Sequence, residues 1–215
     1  MKIAIIGATG FLGANLVKEF ANRNHEVTAI SRGASAEEKL NVTNVKADVF
    51  NIDELAAVLK GQDVVVSAYN PGWTNPNIYD DAIAGSKAIQ EAVKKSGVKR
   101  YIYIGGAGSL YIAPGLQLID TPEFPAEYKA GASAARDYLN ILREEKDLDW
   151  AFFSPAIEMH QGIDTGRTGK YRLGLENPVF DDNNRSILSG EDVAVVIADE
   201  AESPKHHQQR FTAAY

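Results

Sequence analysis

The chain of 215 residues contains no cysteine. Disulfides, thiolate metal sites and cysteine nucleophiles are thereby excluded, while the compartment is left open. With no paired His-acid spacing either, no metal site is expected. An excess of positive charge is also missing: 22 Lys and Arg stand against 29 Asp and Glu, for a formal net charge of -7. Nucleic acid is therefore not expected as a partner. Lys94, Lys95, Lys99 and Arg100 gather at an expected helix end, where cations are favoured anyway. No hydrophobic run approaches the roughly 18 residues of a transmembrane helix, so no membrane partner is expected. The apolar start, Met1 to Val17, has only Lys2 as a basic flank and is broken by three glycines. That argues for a strand, a turn and a helix, not a signal peptide. No fixed-period repeat or low-complexity linker is seen. The expectation is a single cytoplasmic domain over 1–215, with a dinucleotide-binding core at 1–155 and an extension at 156–215 on the substrate side.

What is present alternates. Strands are expected at Lys2 to Ile6, Val27 to Ile30, Val45 to Val49, Asp63 to Ala68, Arg100 to Ile104 and Trp150 to Phe153. Between them lie helical patterns: Leu12, Leu16 and Phe20 at four-residue spacing, then Asp53 to Lys60 capped by Asn51, Ile83 to Lys95, and Glu127 to Glu145. Such alternation predicts an α/β fold, a Rossmann-like doubly wound parallel sheet with helices on both faces. Beyond Pro155 the pattern loosens. Tyr171 to Leu173, Val179-Phe180 and Ser186 to Leu188 are at most short strands, Ser189 caps a helix over Glu191 to Ala201, and Phe211 to Tyr215 forms a last strand. Two long connections, Tyr69 to Asn77 and Gly105 to Pro125, follow strands and so emerge at the carboxyl edge, where open α/β sheets bind ligands.

The turn Gly7-Ala8-Thr9-Gly10-Phe11-Leu12-Gly13 sits between the first strand and the first helix. Gly7 permits the tight turn, Gly10 lets the backbone approach a pyrophosphate, and Gly13 lets the helix pack close to the strand. The N–H groups of Phe11 and Leu12 lie at a helix N-terminus, where an anion is favoured. Dinucleotide sites selective for NAD carry an acid at the end of strand two. Ser31-Arg32 stands there instead, and a guanidinium pairs with a 2′-phosphate, so NADP is expected over NAD. An exposed arginine on a turn is the bland alternative.

The Gly-x-x-Gly-x-x-Gly spacing resembles the extended and atypical short-chain dehydrogenase/reductase superfamily, and the resemblance covers most of the chain. Lys46-Ala47-Asp48 is similar to the family's strand-three aspartate, which implies that Asp48 and its neighbour Val49 lie near the adenine. Ser154-Pro155-Ala156 resembles the segment that meets the nicotinamide, and Ser186 to Ala194 resembles the late I-S-x-x-D-V-A segment. Thr9, Ala68, Tyr69, Asn70, Gly105 and Pro155 complete the expected cofactor contacts. Within the superfamily the chain is most similar to small single-domain members named as NAD(P)H-flavin reductases or as epimerase/dehydratases. Asn70-Pro71-Gly72-Trp73, Gly105 to Leu110 and Ser203 to His207 carry that likeness.

Active members of the superfamily pair a tyrosine with a lysine four residues on, and add a serine after strand five; the lysine lowers the tyrosine pKa for proton exchange. Here Tyr128 is followed at that spacing by Ala132, and the serine position falls at Gly105 or Gly106. Three residues remain as candidate catalytic groups: Ser109, Tyr128 and His160. Each has a structural alternative, as a loop-stabilising hydroxyl, a packed helix-face ring and a solvated loop imidazole. His206 and His207 read as surface residues. Tyr69, Trp73 and Tyr111 on loops suggest a planar acceptor held by stacking, or local packing. Three functions follow: NADPH-dependent hydride transfer to a small flavin-like or other conjugated acceptor, sugar-nucleotide epimerisation or dehydration, and NADP binding without turnover, as in the resembling nitrogen-metabolite regulators. The helix faces do not announce an oligomeric interface.

Overall fold

Short apolar runs bounded by glycine and polar turns become buried strands, and the four-residue apolar spacing between them becomes helix. The computed structural model describes residues 1–33, 35–36 and 39–215. In chain order the elements are β1 (Lys2–Ile6), α1 (Phe11–Asn22), β2 (Glu26–Ser31), β3 (Val42–Lys46), α2 (Ile52–Leu59), β4 (Val64–Ser67), α3 (Ile78–Ser96), β5 (Arg100–Ile104), β6 (Tyr111–Ala113), β7 (Leu116–Gln117), α4 (Ala126–Arg143), β8 (Asp149–Ser154), β9 (Arg172–Gly174), α5 (Gly190–Glu202) and β10 (Gln209–Ala214). Eight strands form one sheet in the order β3-β2-β1-β4-β5-β8-β10-β9. All neighbours run parallel except β9, which is antiparallel to β10. From β1 the chain winds outward to β3, then returns to β4 and winds the other way. The switch point therefore lies between β1 and β4, where this class of sheet opens a ligand crevice.

Two apolar layers sandwich the sheet. Leu16 and Phe20 of α1 and Val193, Val196 and Ile197 of α5 cover one face. Leu55 and Leu59 of α2, Ile89 and Val93 of α3, and Tyr138 and Leu142 of α4 cover the other. Each such burial contributes about 2 kcal/mol. That outweighs the roughly 1 kcal/mol propensity cost of Gly13 inside α1. Residues 156–215 do two things. Helix α5 and β10 complete this shared core, while β9 adds an antiparallel edge strand beside β10.

Several boundaries differ from those the sequence suggests. The third strand runs over Val42–Lys46 and not Val45 to Val49, because Asp48 closes a turn by accepting from the Phe50 N–H (3.0 Å) while its carbonyl takes the Asn51 N–H (3.0 Å). Helix α3 begins at Ile78, five residues before the expected Ile83, since buried Ile78 already joins the packed face and Asp80 and Asp81 suit a first turn. Val179-Phe180 forms no strand, and Ser186 to Leu188 contributes a single bridge, Ile187 to Glu158. Within the long Gly105 to Pro125 connection a small hairpin, β6-β7, turns at Gly115 with φ +73°. The caps at Asn51 and Ser189 form as expected, accepting from the N–H of Glu54 and Asp192.

The late segment is strapped to α1. Glu19, with a side chain 6% exposed, takes Arg167 in a two-pronged pair (2.8 Å each) and Arg23 at 2.8 Å. The Arg167 hydrogen bonds hold the Glu19 carboxyl below its ordinary value; burial opposes them and Arg23 assists. A depressed carboxyl stabilises the fold above its unfolded value near 4.5, and that contribution disappears as pH falls through the folded value. Glu19→Gln is therefore expected to lower the melting temperature at pH 7, with the gap to the wild type narrowing as pH falls below the unfolded value near 4.5. A thermal melt series across pH checks it; a gap constant with pH would refute it.

Candidate functional site

The crevice is built by backbone. Gly7 has φ +82°, and a Cβ there would lie 2.6 Å from the Ala68 carbonyl oxygen at the end of β4. A Cβ on Gly13 would lie 2.0 Å from the Gly7 carbonyl oxygen. These two glycines thus let β1, β4 and α1 converge. Gly10 is the N-cap of α1 in extended conformation and supplies no side-chain cap. Helices α2, α3, α4 and α5 each carry acid in the first turn, whereas α1 has none. An uncapped helix start without acid favours an incoming anion.

From β1 the carboxyl edge extends both ways. Towards β2 and β3 it presents half-buried Ser31, exposed Arg32 and exposed Asp48, while Val49 turns into the core. Arg32 makes no hydrogen bond or ion pair with any described residue. Tyr69 on the β4 loop is half-buried, its hydroxyl on the Asp81 carbonyl (3.2 Å) and its ring where a Gly85 Cβ would stand. Burial raises the Tyr69 hydroxyl above its ordinary value; Arg32 opposes, and Asp81 and Asp48 add to the rise. Tyr69, Arg32 and Asp48 therefore share one electrostatic neighbourhood. Asn70 folds its loop by accepting from the Gly72 N–H at 2.7 Å.

Towards β5 and β8 stand Gly105, Ser109 and Pro155. A Cβ on Gly105 would lie 2.0 Å from the tip of the Phe152 ring, which explains why no serine occupies that position. Ala132, where the superfamily's lysine would fall, is buried against the Ala107–Ser109 turn, facing Gly108 and Ile119. Pro155 is buried at the end of β8.

The structure does not bring the three candidate catalytic side chains together. Ser109 is 2% exposed, and its hydroxyl and carbonyl both accept from Arg210 (3.0 and 2.7 Å). It is held inside the fold, turned towards β10. His160 is exposed on the loop after β8, where its Nδ1 accepts from the Gly162 N–H at 3.0 Å. Tyr128, 48% exposed on the first turn of α4, meets Trp73 edge to face at 5.4 Å between centroids. The Trp73 ring also rests where a Gly131 Cβ would stand. Of the loop aromatics, Tyr69 and Tyr111 are engaged internally, the latter 5.8 Å beneath the Arg210 guanidinium. Trp73 and Tyr128 stay open to solvent. His206 is buried, stacked on Phe211 and bonded to Glu200, so only His207 fits the surface reading. No local sequence pattern marks Arg210 or Glu176 as part of this region. Asp192 lies within the segment Ser186 to Ala194 that resembles the late I-S-x-x-D-V-A motif.

A family model described as NAD(P)H-binding matches residues 7–204. The chain belongs to that family. A solved structure from Bacteroides thetaiotaomicron, described as a "putative epimerase", is 46% identical, covers 100% of this chain and 96% of its own, and superposes with a TM-score of 0.91. A "putative NADH-flavin reductase" from Streptococcus pneumoniae is 34% identical, with coverage of 100% and 99% and a TM-score of 0.85. A "putative exported protein" from Burkholderia pseudomallei is 43% identical, covers 100% of both chains and gives a TM-score of 0.87. The fold is thus Rossmann-like and the ligand a nicotinamide dinucleotide. Among the described residues no helix is long and apolar enough to cross a membrane.

Proposed function

We propose that this protein is an NADPH-dependent oxidoreductase that passes hydride to a small planar, conjugated acceptor such as a flavin. The observation that carries this reading is the exposed Trp73–Tyr128 pair beside a crevice that lacks the tyrosine-lysine couple. Bound NADPH supplies the hydride. Epimerisation and dehydration need a protein acid-base pair, and the position for its lysine is filled by packed Ala132. Hydride transfer to a flavin-like ring needs chiefly proximity and orientation, which an aromatic platform supplies. Tyr128, Ser109 and His160 are then orienting or wall residues. The cofactor lies with its pyrophosphate over Gly7, Thr9, Gly10, Phe11, Leu12 and Gly13. Its adenine half lies by Ser31, Arg32, Asp48 and Val49, and its nicotinamide half by Ala68, Tyr69, Asn70, Gly105 and Pro155. Arg32, exposed and without a described partner, receives the 2′-phosphate. The reading takes 1–215 as one domain, a small-molecule substrate, no nucleic-acid or membrane partner and a cytoplasmic location; cell fractionation tests the last against the exported Burkholderia relative.

Purified protein mixed with NADPH and FMN is expected to oxidise the nicotinamide above the uncatalysed rate. NADPH is expected to be preferred to NADH, and Arg32→Ala to lose about tenfold or more of the NADPH affinity with NADH affinity unchanged. No oxidation with any flavin or quinone, alongside tight NADPH binding, would overturn the enzyme reading in favour of a dinucleotide-binding regulator. Turnover of a UDP- or dTDP-sugar would instead establish an epimerase or dehydratase.

A further inference from the structure

The most anomalous charge in the protein is Arg210. It lies on β10, two strands beyond β5, with its side chain 1% exposed. One guanidinium nitrogen donates to both the carbonyl (2.7 Å) and the hydroxyl (3.0 Å) of Ser109. The other takes the Glu176 carboxylate and reaches its carbonyl at 3.5 Å, while Nε has no partner. The Tyr111 ring lies 5.8 Å from the guanidinium carbon. Three chain segments thus converge on one buried cation: the turn after β5, the hairpin strand β6 and the link after β9. Around it the Tyr111 N–H donates to the Glu176 carbonyl (2.9 Å), and Asn177 to the Tyr111 carbonyl (2.7 Å).

Stability is a poor reason for this arrangement. Burying a guanidinium costs several kcal/mol of hydration, and an apolar side chain of similar length usually fills such a site at least as well. Its carboxylate partner is 44% exposed and shared with Arg143, so the pair is not a sealed couple. What the guanidinium supplies, and an apolar chain cannot, is a fixed position for the Ser109 backbone. With strands about 4.8 Å apart, β5 ends about 10 Å from β1, on the side away from Arg32. If the adenine half of the dinucleotide lies towards β2, the other half reaches the β5 turn.

We infer that Arg210 is a positioning residue for the nicotinamide half of the bound cofactor: from β10 it holds the Gly105–Ser109 turn against that half, without touching the cofactor itself. The inference rests on the proposed placement of the dinucleotide and not on the identity of the acceptor. Removing the fork frees the turn and so weakens contacts of the nicotinamide half, leaving the adenine half untouched.

The test compares NADPH with 2′,5′-ADP, a fragment that carries the adenine half alone, by calorimetric titration of the wild type, Arg210→Met and Arg210→Lys. Arg210→Met is expected to bind NADPH about tenfold more weakly and the fragment unchanged. Arg210→Lys keeps the charge but loses the two-pronged geometry, and is expected to fall between. Fragment binding doubles as the folding control. Equal weakening of both ligands, or of neither, would overturn the inference, as would a lysine variant no better than methionine. If Arg210→Lys alone folds, its selective loss of NADPH decides. A protein that discriminates the two ligands in this way yet reduces no acceptor would refute the flavin-reductase reading and leave this one standing. A wild type that reduces flavin with Arg210→Met matching it for both ligands would do the reverse.

Discussion

Gly13→Ala is expected to destabilise the protein by about 2–3 kcal/mol and to lower dinucleotide affinity by about a hundredfold. By helix propensity alone the substitution should help, since alanine exceeds glycine by about 1 kcal/mol inside a helix. The contact decides the sign. The new Cβ would lie 2.0 Å from the Gly7 carbonyl oxygen and 2.8 Å from its carbonyl carbon, and both are backbone atoms that cannot swing away. Helix α1 must therefore move off the turn, and with it the N–H groups proposed to face the pyrophosphate. Gly10→Ala provides the contrast. Its Cβ would approach nothing nearer than the Gly7 oxygen at 3.4 Å, and its φ of -73° suits alanine. That variant is expected to keep the wild-type melting temperature and lose only affinity. Chemical denaturation and NADPH titration of the two variants separate the effects; a Gly13→Ala protein as stable as the wild type would contradict the backbone argument.

Asp192→Ala is expected to cost about 3 kcal/mol, or about 6–12 °C in Tm. The residue is fully buried in the first turn of α5. It accepts from the Thr168 N–H (3.0 Å), the Thr168 hydroxyl (2.6 Å), the Gly169 N–H (2.8 Å) and the Tyr215 hydroxyl (2.7 Å). Alanine leaves those donors facing a void and releases the 166–169 segment from α5. Ser189 retains its bonds to the Gly166 carbonyl (2.7 Å) and to Tyr215, which keeps the loss below that of unfolding. A urea titration measures it, and a change under 1 kcal/mol would show that solvent replaces the carboxylate.

Local patterns made much of the fold legible. Val64-Val65-Val66 and Ile3 to Ile6 are apolar on both faces, which only a doubly covered parallel strand requires, and the glycine turn announced the ligand class. Long-range geometry stayed hidden. Ser109 lies on the β5 loop, as the sequence order requires, but no local signal shows that its hydroxyl faces Arg210, 101 residues away. An arginine within a strand reads as solvent-facing, since the cost of burying it is offset only by groups from distant loops. Trp73 and Tyr128 were each visible as aromatics, whereas their contact depends on where α4 starts relative to the β4 loop. The end of β3 is not legible locally, because Ala47 and Val49 are buried like strand residues while Asp48 between them turns the chain.

The bare start of α1 has a bearing on how long the protein survives. Four helices carry carboxylates at their own amino ends, and this one carries none; on the proposed placement the ligand takes that task. A ligand that binds only the native state adds about 2.7 kcal/mol of stability when present at a hundred times its dissociation constant. Proteases that act on transiently opened chains would accordingly meet fewer of them when dinucleotide is plentiful. On the proposed placement of the dinucleotide, the abundance of the protein is thereby coupled, through the glycine turn, to the concentration of dinucleotide around it.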